Sequence, residues 1–312
     1  MILSVSRRTD IPNYYSSWFY KRVEEGFLYV KNPMNARQIS KIDISPEMVD
    51  CIVFWTKNPQ NMISKLHLLK DYKYYFQFSI TCYGKDIEPN IPNKIDTVVP
   101  IFQKLSDLIG SNKVVWRYDP IFISEQYTVA YHLEVFHRLS QMLKGYTNRV
   151  IISFIDYYPK IKKNIELHSM NLPTREELIQ LSEGLAQIAK SNNMKLETCA
   201  AEKLEVQSLG VASVGCIDKS LVEEIIGCEV SGKRDKNQRN DCICLESIDI
   251  GTYDTCKNGC KYCYANLSDK KILKTTSLYN TKSPILCGSI QEEDKITIRK
   301  VGSLKTNQIT MF

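Results

Sequence analysis

One segment of this 312-residue chain reads Ser247-Ile-Asp-Ile-Gly251-Thr-Tyr-Asp-Thr-Cys256-Lys-Asn-Gly-Cys260-Lys-Tyr262-Cys263-Tyr264. A short β-strand pattern leads directly into a loop with the cysteine spacing C-x3-C-x2-C, and Tyr262 precedes the last cysteine. A [4Fe–4S] cluster has four irons, and three thiolates on one loop can bind only three of them. One iron would stay free for a substrate or cofactor, so this loop is the candidate active centre.

Zinc is the alternative ligand for this loop. Three cysteines at short spacing are also typical of structural zinc sites, and the Cys242-Ile-Cys244 pair lies only a short distance upstream of Cys256. Such sites often contain paired C-x2-C arms, whereas the gap between Cys256 and Cys260 is three residues. The spacing therefore favours an iron–sulfur cluster over zinc.

Composition and charge set broad limits on the class of protein. The chain has 11 cysteines, but its start, Met-Ile-Leu-Ser-Val-Ser-Arg-Arg, lacks the apolar run of a signal peptide. We therefore expect a cytoplasmic protein whose thiols are reduced or bound to metal. No stretch is apolar enough over the length of a membrane span, so no membrane partner is expected. The net charge of +6 is compatible with a nucleic-acid partner but is weak support for one.

Short apolar runs alternate with longer amphipathic stretches, which is typical of βα units and a parallel sheet. The predicted strands are residues 2–6, 51–55, 75–81, 114–118, 150–155 and 196–200. The predicted helices are residues 13–25, 59–70, 96–109, 128–143 and 174–191. We expect an α/β fold with a (β/α) barrel over residues 1–230. A cysteine-rich segment, residues 231–312, would complete the barrel, with strand-like runs at 247–251, 283–288 and 295–300.

Charged or polar residues follow nearly every predicted strand. In parallel barrels the carboxyl ends of the strands meet at one mouth, where ligands bind. The candidate catalytic residues at this mouth are Arg8, Asp10, Lys57, Arg117, Asp119 and Glu202. Each has an ordinary structural explanation, since the carboxylates could cap turns and the arginines could pair with them. Together they predict a polar pocket with balanced charge.

A second cysteine group precedes the loop. Cys242 and Cys244 are too close in sequence to be independent, and Cys199 and Cys216 are the best candidates to complete a four-thiolate site. Such a site could hold a second, fully ligated [4Fe–4S] cluster. The same four ligands would also suit zinc, and Cys199 and Cys216 could instead be buried apolar thiols.

The cysteine loop resembles the signature of the radical S-adenosylmethionine (SAM) superfamily, including the aromatic residue at Tyr262. That superfamily begins its barrel with a strand followed directly by such a loop, usually near the N terminus. The position here implies a partial or circularly permuted barrel. The superfamily's glycine-rich motif for the methionyl amino group is not evident.

The whole chain resembles an uncharacterised bacterial family, domain of unknown function 1848, which has a radical-SAM-like cysteine cluster at its C terminus. The motifs that carry this resemblance are Ser6-Arg-Arg-Thr-Asp-Ile-Pro12, Phe54-Trp-Thr-Lys-Asn-Pro59, Trp116-Arg-Tyr-Asp-Pro-Ile121, Cys199-Ala-Ala-Glu202, Lys236-Asn-Gln-Arg239 and Ile250-Gly-Thr-Tyr253 through Asn266.

The resemblance to domain of unknown function 1848 brings no reaction with it. The resemblance of the cysteine loop to the radical SAM superfamily implies an enzyme that cleaves SAM to a 5′-deoxyadenosyl radical, with an electron donor such as ferredoxin or flavodoxin. Tyr262 is then expected near the adenine. Arg8, Lys57 and Arg117 are expected to contact carboxylates or other anions, and the acidic candidates to contact ribose or substrate hydroxyls. The substrate stays unknown. Nucleic acid is one option, because the Thr-Lys-Asn element faintly resembles the spore photoproduct lyase group. A zinc-stabilised, non-catalytic binding protein is the rival hypothesis.

Overall fold

A computed structural model gives the structure of the chain, and it describes residues 1–199, 206, 211–236, 238 and 242–306. The strands, in chain order, are β1 Ile2–Val5, β2 Phe27–Asn32, β3 Asn35–Asp43, β4 Cys51–Thr56, β5 Tyr74–Ser79, β6 Val114–Ile121, β7 Arg149–Phe154, β8 Lys195–Thr198, β9 Ala212–Ser213, β10 Ile248–Asp249 and β11 Lys295–Ile298. The α-helices are α1 Ile11–Tyr14, α2 Ser16–Glu25, α3 Gln60–Ile63, α4 Val99–Ile109, α5 Val129–Leu143, α6 Lys162–Leu167, α7 Arg175–Ser191, α8 Lys219–Ile226 and α9 Asp269–Thr276.

Eight strands form one parallel sheet in the order β10-β1-β4-β5-β6-β7-β8-β9. The sheet is open, with β10 and β9 as its edges, and within the described residues no ladder joins these two edges into a closed barrel. The α/β class is therefore confirmed. Helices connect β4 to β5, β5 to β6, β6 to β7 and β7 to β8, as expected for parallel neighbours, which need crossover connections.

All six predicted strands are present, with shifts of a few residues at their ends, although Ala200 in the last one lies outside the described residues. Three predicted helices are divided. The first breaks at Tyr15 into α1 and α2, the second into α3 and a 3-10 turn at Leu66–Leu69, and the third begins as a π-helical turn at Lys94–Val98. The other two match α5 and α7, whose N-caps are Thr128 and Thr174.

A second, three-stranded sheet was not predicted from the sequence. In it, β2 and β3 form an antiparallel pair, and β11 adds to β3 in parallel. The expectation that the strand-like runs of the tail complete the main sheet was therefore wrong for β11. The other tail run, residues 283–288, is not a strand, and its one bridge joins Ile285 to Tyr29 of β2. β11, with Lys-Ile-Thr-Ile, alternates polar and apolar residues, but all four residues are exposed, so no buried face specifies which sheet it joins.

The main sheet has two differently covered faces because side chains alternate along each strand. On β4, Ile52 and Phe54 join the larger core, which also receives the apolar sides of α2, α4, α5 and α7. Cys51 and Val53 point to the other face and pack with α8. We call this second side the inner face. Residues 214–230 and 242–245 cover part of it and bring a group of cysteines there.

Within the described residues, no helix has both the length and the apolar character needed to cross a bilayer.

Candidate functional site

The cysteine loop follows strand β10, which lies at the edge of the main sheet beside β1. Asp249 at the end of β10 accepts hydrogen bonds from the Ser4 hydroxyl at 3.0 Å, the Ser6 hydroxyl at 2.5 Å and the Arg7 backbone N–H at 2.8 Å. The chain then passes so close to β1 that a Cβ on Gly251 would lie 2.0 Å from the Ser6 Oγ. Only glycine fits at this crossing, and the contacts fix where the cysteine loop begins.

The loop is held by residues that follow β1, β5 and β7. The Tyr15 hydroxyl donates to the Thr255 carbonyl at 2.6 Å, and the Lys261 N–H donates to the Ile87 carbonyl at 2.9 Å. The Asn164 amide in α6 donates to the Lys261 carbonyl at 2.8 Å. Gly259 has φ +71°, a left-handed conformation that favours glycine. The loop therefore lies across the carboxyl ends of the parallel strands.

The three loop thiols are buried or half-buried and lie near one another. Burial raises the pKa of Cys256 and of Cys260 to about 12 and that of Cys263 to about 11. Thiols with such raised pKa values need a cation to become thiolates at neutral pH.

Asp10 connects β1, β4 and the loop from a buried position. Its Oδ1 accepts from the Thr56 hydroxyl at 2.7 Å, and its Oδ2 accepts from the Lys57 backbone N–H at 2.8 Å and the Asn258 amide at 3.1 Å. Oδ1 also caps α1 through the N–H of Asn13. Burial raises the pKa of Asp10, and these hydrogen bonds oppose the rise. Both oxygens are engaged by the protein, so Asp10 positions the loop.

Glu88, which the sequence analysis missed, lies at the centre of a charged cluster under the loop. Its carboxylate is 1% exposed and contacts Lys57 Nζ at 2.8 Å and Lys94 Nζ at 2.5 Å. It also accepts hydrogen bonds from the Tyr262 and Thr81 hydroxyls. Burial acts to raise the pKa of Glu88, but the two ammonium groups hold it below its usual value. Lys57 Nζ lies 5.6 Å from the centre of the Tyr262 ring, beside Cys260.

A second charged cluster lies on the inner face. The Arg117 guanidinium pairs with Asp119 and donates to Gln77 at 3.3 Å. It lies 5.4 Å from the centre of the Trp55 ring, and the guanidinium of Arg7 lies 4.9 Å from the same ring. Two arginines therefore contact one aromatic side chain, an arrangement that stabilises buried cations.

Arg8 lies at the edge of the loop instead. Its guanidinium lies 5.1 Å from the Tyr253 ring centre, donates to the Gly251 carbonyl at 3.3 Å and approaches Asp249 at 4.0 Å. Arg8 is thus brought to the start of the cysteine loop, apart from the pair at Trp55.

The second cysteine group is brought together on the inner face. The Sγ atoms of Cys199, Cys242 and Cys244 all lie within 4.8 Å of one another, and all three residues are buried. The Cys216 Sγ lies 2.8 Å from that of Cys199. Hydrogen bonds from neighbouring thiols lower the pKa of Cys242 and Cys244 and raise that of Cys199. This buried group could hold a metal ion.

The structure thus places Asp10, Lys57 and Tyr262 around the loop, and Arg117 with Asp119 on the inner face. Glu202 lies outside the described residues. Sequence analysis missed Glu88 and Lys94 because they lie between β5 and α4, Glu88 in an irregular segment and Lys94 at the start of the π-helical turn, where no periodic pattern marks a buried charge. The one available signal was the Glu88-Pro89 pair in a loop, which is common and unspecific.

The fold and this site define an α/β protein with an open parallel sheet and a buried cysteine group suited to metal. The chain belongs to the family described as domain of unknown function DUF1848, whose model matches residues 2–265.

Comparison with other proteins adds little beyond the family. Among curated proteins, none matches this chain. One of the solved structures that matches is Rhizobium etli pyruvate carboxylase T882A, crystallised without acetyl coenzyme A, with 9% sequence identity and a TM-score of 0.29. The match covers 70% of this chain and 24% of the carboxylase chain.

Proposed function

We propose that the protein is a radical SAM enzyme whose cysteine loop binds a [4Fe–4S] cluster through Cys256, Cys260 and Cys263. The observation that carries this proposal is the placement of the loop, which follows an edge strand of a parallel sheet and crosses the carboxyl ends of its neighbours. Ligand sites of parallel α/β proteins occur at these ends.

The strand order supports a permuted, partial barrel. β10 comes late in the chain, yet it occupies the edge of the sheet beside β1, with Leu3 opposite Ile248 and Ser4 opposite Asp249. If the superfamily barrel begins with the strand that precedes the cysteine loop, β10 is that strand and β1 is the second. The open sheet agrees with a partial barrel.

The loop fits the cluster by the chemistry of its donors. Three buried or half-buried cysteines on one loop offer three thiolates, the number that leaves one iron of a [4Fe–4S] cluster open. The nearby cation of Lys57 would offset part of the negative charge of the thiolates at Cys260. When reduced and bound, the cluster would supply one electron to the sulfonium of SAM, releasing methionine and a 5′-deoxyadenosyl radical.

The residues of the chain itself would orient the ligands and exclude water. Asp10 and Asn258 hold the loop against β1 and β4. Glu88 fixes the Lys57 ammonium and the Tyr262 hydroxyl, so that the Tyr262 ring is presented at a constant position for the adenine. Arg8 and Arg117 are the proposed anion contacts. The class of substrate follows from none of these contacts.

Anaerobic purification, with iron and sulfide analysis, tests the proposal directly. We expect about four irons per chain at the loop, and 5′-deoxyadenosine on addition of dithionite and SAM. Cys260→Ala should lose this iron and the product together. Cys228→Ser is the matched control, since Cys228 is half-buried and lies outside both cysteine groups.

Two results would contradict the proposal in different ways. Iron at the loop without SAM cleavage, after reconstitution of the full chain, would indicate a redox carrier. Zinc at the loop, with no iron and no cleavage, would indicate a zinc-stabilised binding protein and would show that the C-x3-C-x2-C spacing had been misinterpreted.

A further inference from the structure

The second cysteine group is more compact than the loop group. Its members come from separate parts of the chain: Cys199 follows β8, Cys216 lies between β9 and α8, and Cys242 and Cys244 precede β10. The three sulfurs of Cys199, Cys242 and Cys244 lie within 4.8 Å of one another, and the Cys216 sulfur lies 2.8 Å from that of Cys199. Packing of apolar thiols alone does not require four of them to converge.

These spacings distinguish a single ion from a cluster. Bonds of about 2.3 Å from a tetrahedral zinc ion to four thiolates place the sulfurs about 3.8 Å apart. In a fully ligated [4Fe–4S] cluster each thiolate extends outward from a different iron, so the sulfurs are on the order of 6 Å apart. The sulfurs of Cys199, Cys242 and Cys244, which lie within 4.8 Å of one another, therefore suit one ion and are too close together for a cube. The Cys216 sulfur is outside this group of three and lies 2.8 Å from that of Cys199, so it would move away from Cys199 to become the fourth ligand.

The backbone around the group is arranged to hold thiolates. The N–H groups of Cys216 and Ile217 both donate to the Cys244 sulfur, at 3.1 and 3.4 Å. A Cβ at Gly215 would lie 3.0 Å from the Cys244 Cα, so glycine permits this close approach of the two segments. The Gln77 amide on the inner face donates to the Cys216 carbonyl at 2.7 Å. Hydrogen bonds of this kind orient metal ligands and tune their charge.

Two buried guanidinium groups lie near the same sulfurs. Burial opposes the charge of Arg7 and Arg117. Cys244, then Asp249 and then Cys216 raise the pKa of Arg7, and Asp119 followed by Cys216 raises that of Arg117. In the described part of the chain, the buried Nη2 of Arg7 has no hydrogen-bond partner. Four thiolates and one divalent ion carry a net charge of about −2, which these cations would partly offset.

The geometry points to a single Zn²⁺ ion bound by Cys199, Cys216, Cys242 and Cys244. With four protein ligands the site is closed and has no position for a substrate, so its role is structural. The ion would tie the end of β8 to the two segments that cover the inner face. Tetrahedral four-sulfur sites favour zinc or iron, and this proposal commits to redox-inert zinc. It does not depend on the proposed radical chemistry.

The test uses the full chain with the loop cysteines removed, so that iron from the loop does not interfere. The variant Cys256→Ala/Cys260→Ala/Cys263→Ala, purified and dialysed without added metal, should contain about one zinc per chain. X-ray absorption at the zinc edge should show four sulfur neighbours at about 2.3 Å. Adding Cys216→Ser should reduce zinc content at least several-fold, whereas adding Cys228→Ser should leave it unchanged.

If the Cys216→Ser protein does not fold, X-ray absorption on the triple loop variant still identifies the bound metal, because that variant keeps all four cysteines of the proposed zinc site. Four irons, or one iron, bound in place of zinc by these cysteines would overturn the assignment. So would a metal-free protein with a Cys199–Cys216 disulfide, detected by mass spectrometry without reductant. Loss of SAM cleavage in the native protein with zinc retained would overturn only the proposed function.

Discussion

The Nζ of Lys57 lies 2.8 Å from Oε1 of Glu88, a carboxylate that is 1% exposed and that also receives the Lys94 ammonium. The sequence places Lys57 and Glu88 after two different strands, β4 and β5. Their contact shows how the carboxyl ends of neighbouring parallel strands bring distant residues together. Through Tyr262, the same carboxylate reaches the cysteine loop.

Glu88→Gln should destabilise the protein strongly, because it leaves two ammonium groups without their counter-charge. Breaking a buried ion pair by removing one partner costs about 3–5 kcal/mol. We expect the free energy of unfolding in urea to fall by about 3 kcal/mol or more. The double variant Glu88→Gln/Lys94→Met should recover part of this loss. Glu292→Gln, on an exposed residue, is the control, and an equal effect of both single changes would contradict the assignment.

Gly251→Ala should displace the cysteine loop, since the new Cβ would lie 2.0 Å from Ser6 Oγ and 2.6 Å from Ser6 Cβ. Overpacking of this kind costs about 1–3 kcal/mol. Thermal unfolding and iron retention after desalting should both decrease. Gly302→Ala, with no atom within 4 Å of the new Cβ, should change neither.

The companion variant Ser6→Gly/Gly251→Ala removes both close atoms and should restore part of the iron retention. The restoration is expected to be incomplete, because Ser6 also donates to Asp249 and Thr9 Cγ2 stays 3.2 Å from the new Cβ. An unchanged single variant Gly251→Ala would show that the β1 to β10 contact is looser than the structure has it.

The sequence was sufficient for the central strands of the main sheet, β4 to β7, because they are buried on both faces and read as nearly continuous apolar runs. β4, with Cys-Ile-Val-Phe-Trp-Thr, is such a run. The two-residue edge strand β9, which is not buried, was not predicted. The sequence was also not sufficient for β2 and β3, which alternate partly exposed residues and carry charged side chains. Nor could it show whether β10 and β9 close a barrel, since closure depends on the pairing of sheet edges that no single strand specifies.

The functional sites, like the fold, could be predicted from the sequence only in part. Cysteine spacing identified the loop, and the short Cys242-Ile-Cys244 pair led to the choice of Cys199 and Cys216 as its partners. Spacing within the chain gives no distance between sulfurs, so it left zinc and iron–sulfur open. Asp10 was selected as a substrate contact because it follows β1, but only the structure shows that protein donors occupy both of its oxygens.

Arg117→Ala should reduce 5′-deoxyadenosine formation while the iron content at the loop is unchanged, if Arg117 contacts SAM or substrate as proposed. Loss of one charged contact is worth about tenfold or more in rate or affinity. Arg138→Ala, on the exposed side of α5, is the control. Equal turnover and SAM binding in Arg117→Ala and the native protein would show that Arg117 serves only its contacts with Asp119, Gln77 and Trp55.

His132 should make stability depend on pH between pH 7 and pH 5. Its Nε2 lies 2.9 Å from the Phe122 carbonyl, which can only accept, so Nε2 carries the proton and Nδ1 accepts from the Tyr118 hydroxyl at 3.0 Å. Burial lowers the pKa of His132 to about 4, from 6.5 in an unfolded chain. Below pH 6.5 the unfolded state therefore binds a proton that the folded state does not, and the free energy of unfolding should fall by about 2 kcal/mol between pH 7 and pH 5.

Urea unfolding at pH 7 and at pH 5 checks this prediction. The difference in unfolding free energy between the two pH values should be correspondingly smaller in His132→Gln. An equal pH dependence in both proteins would mean that His132 has the same pKa in the folded and unfolded states.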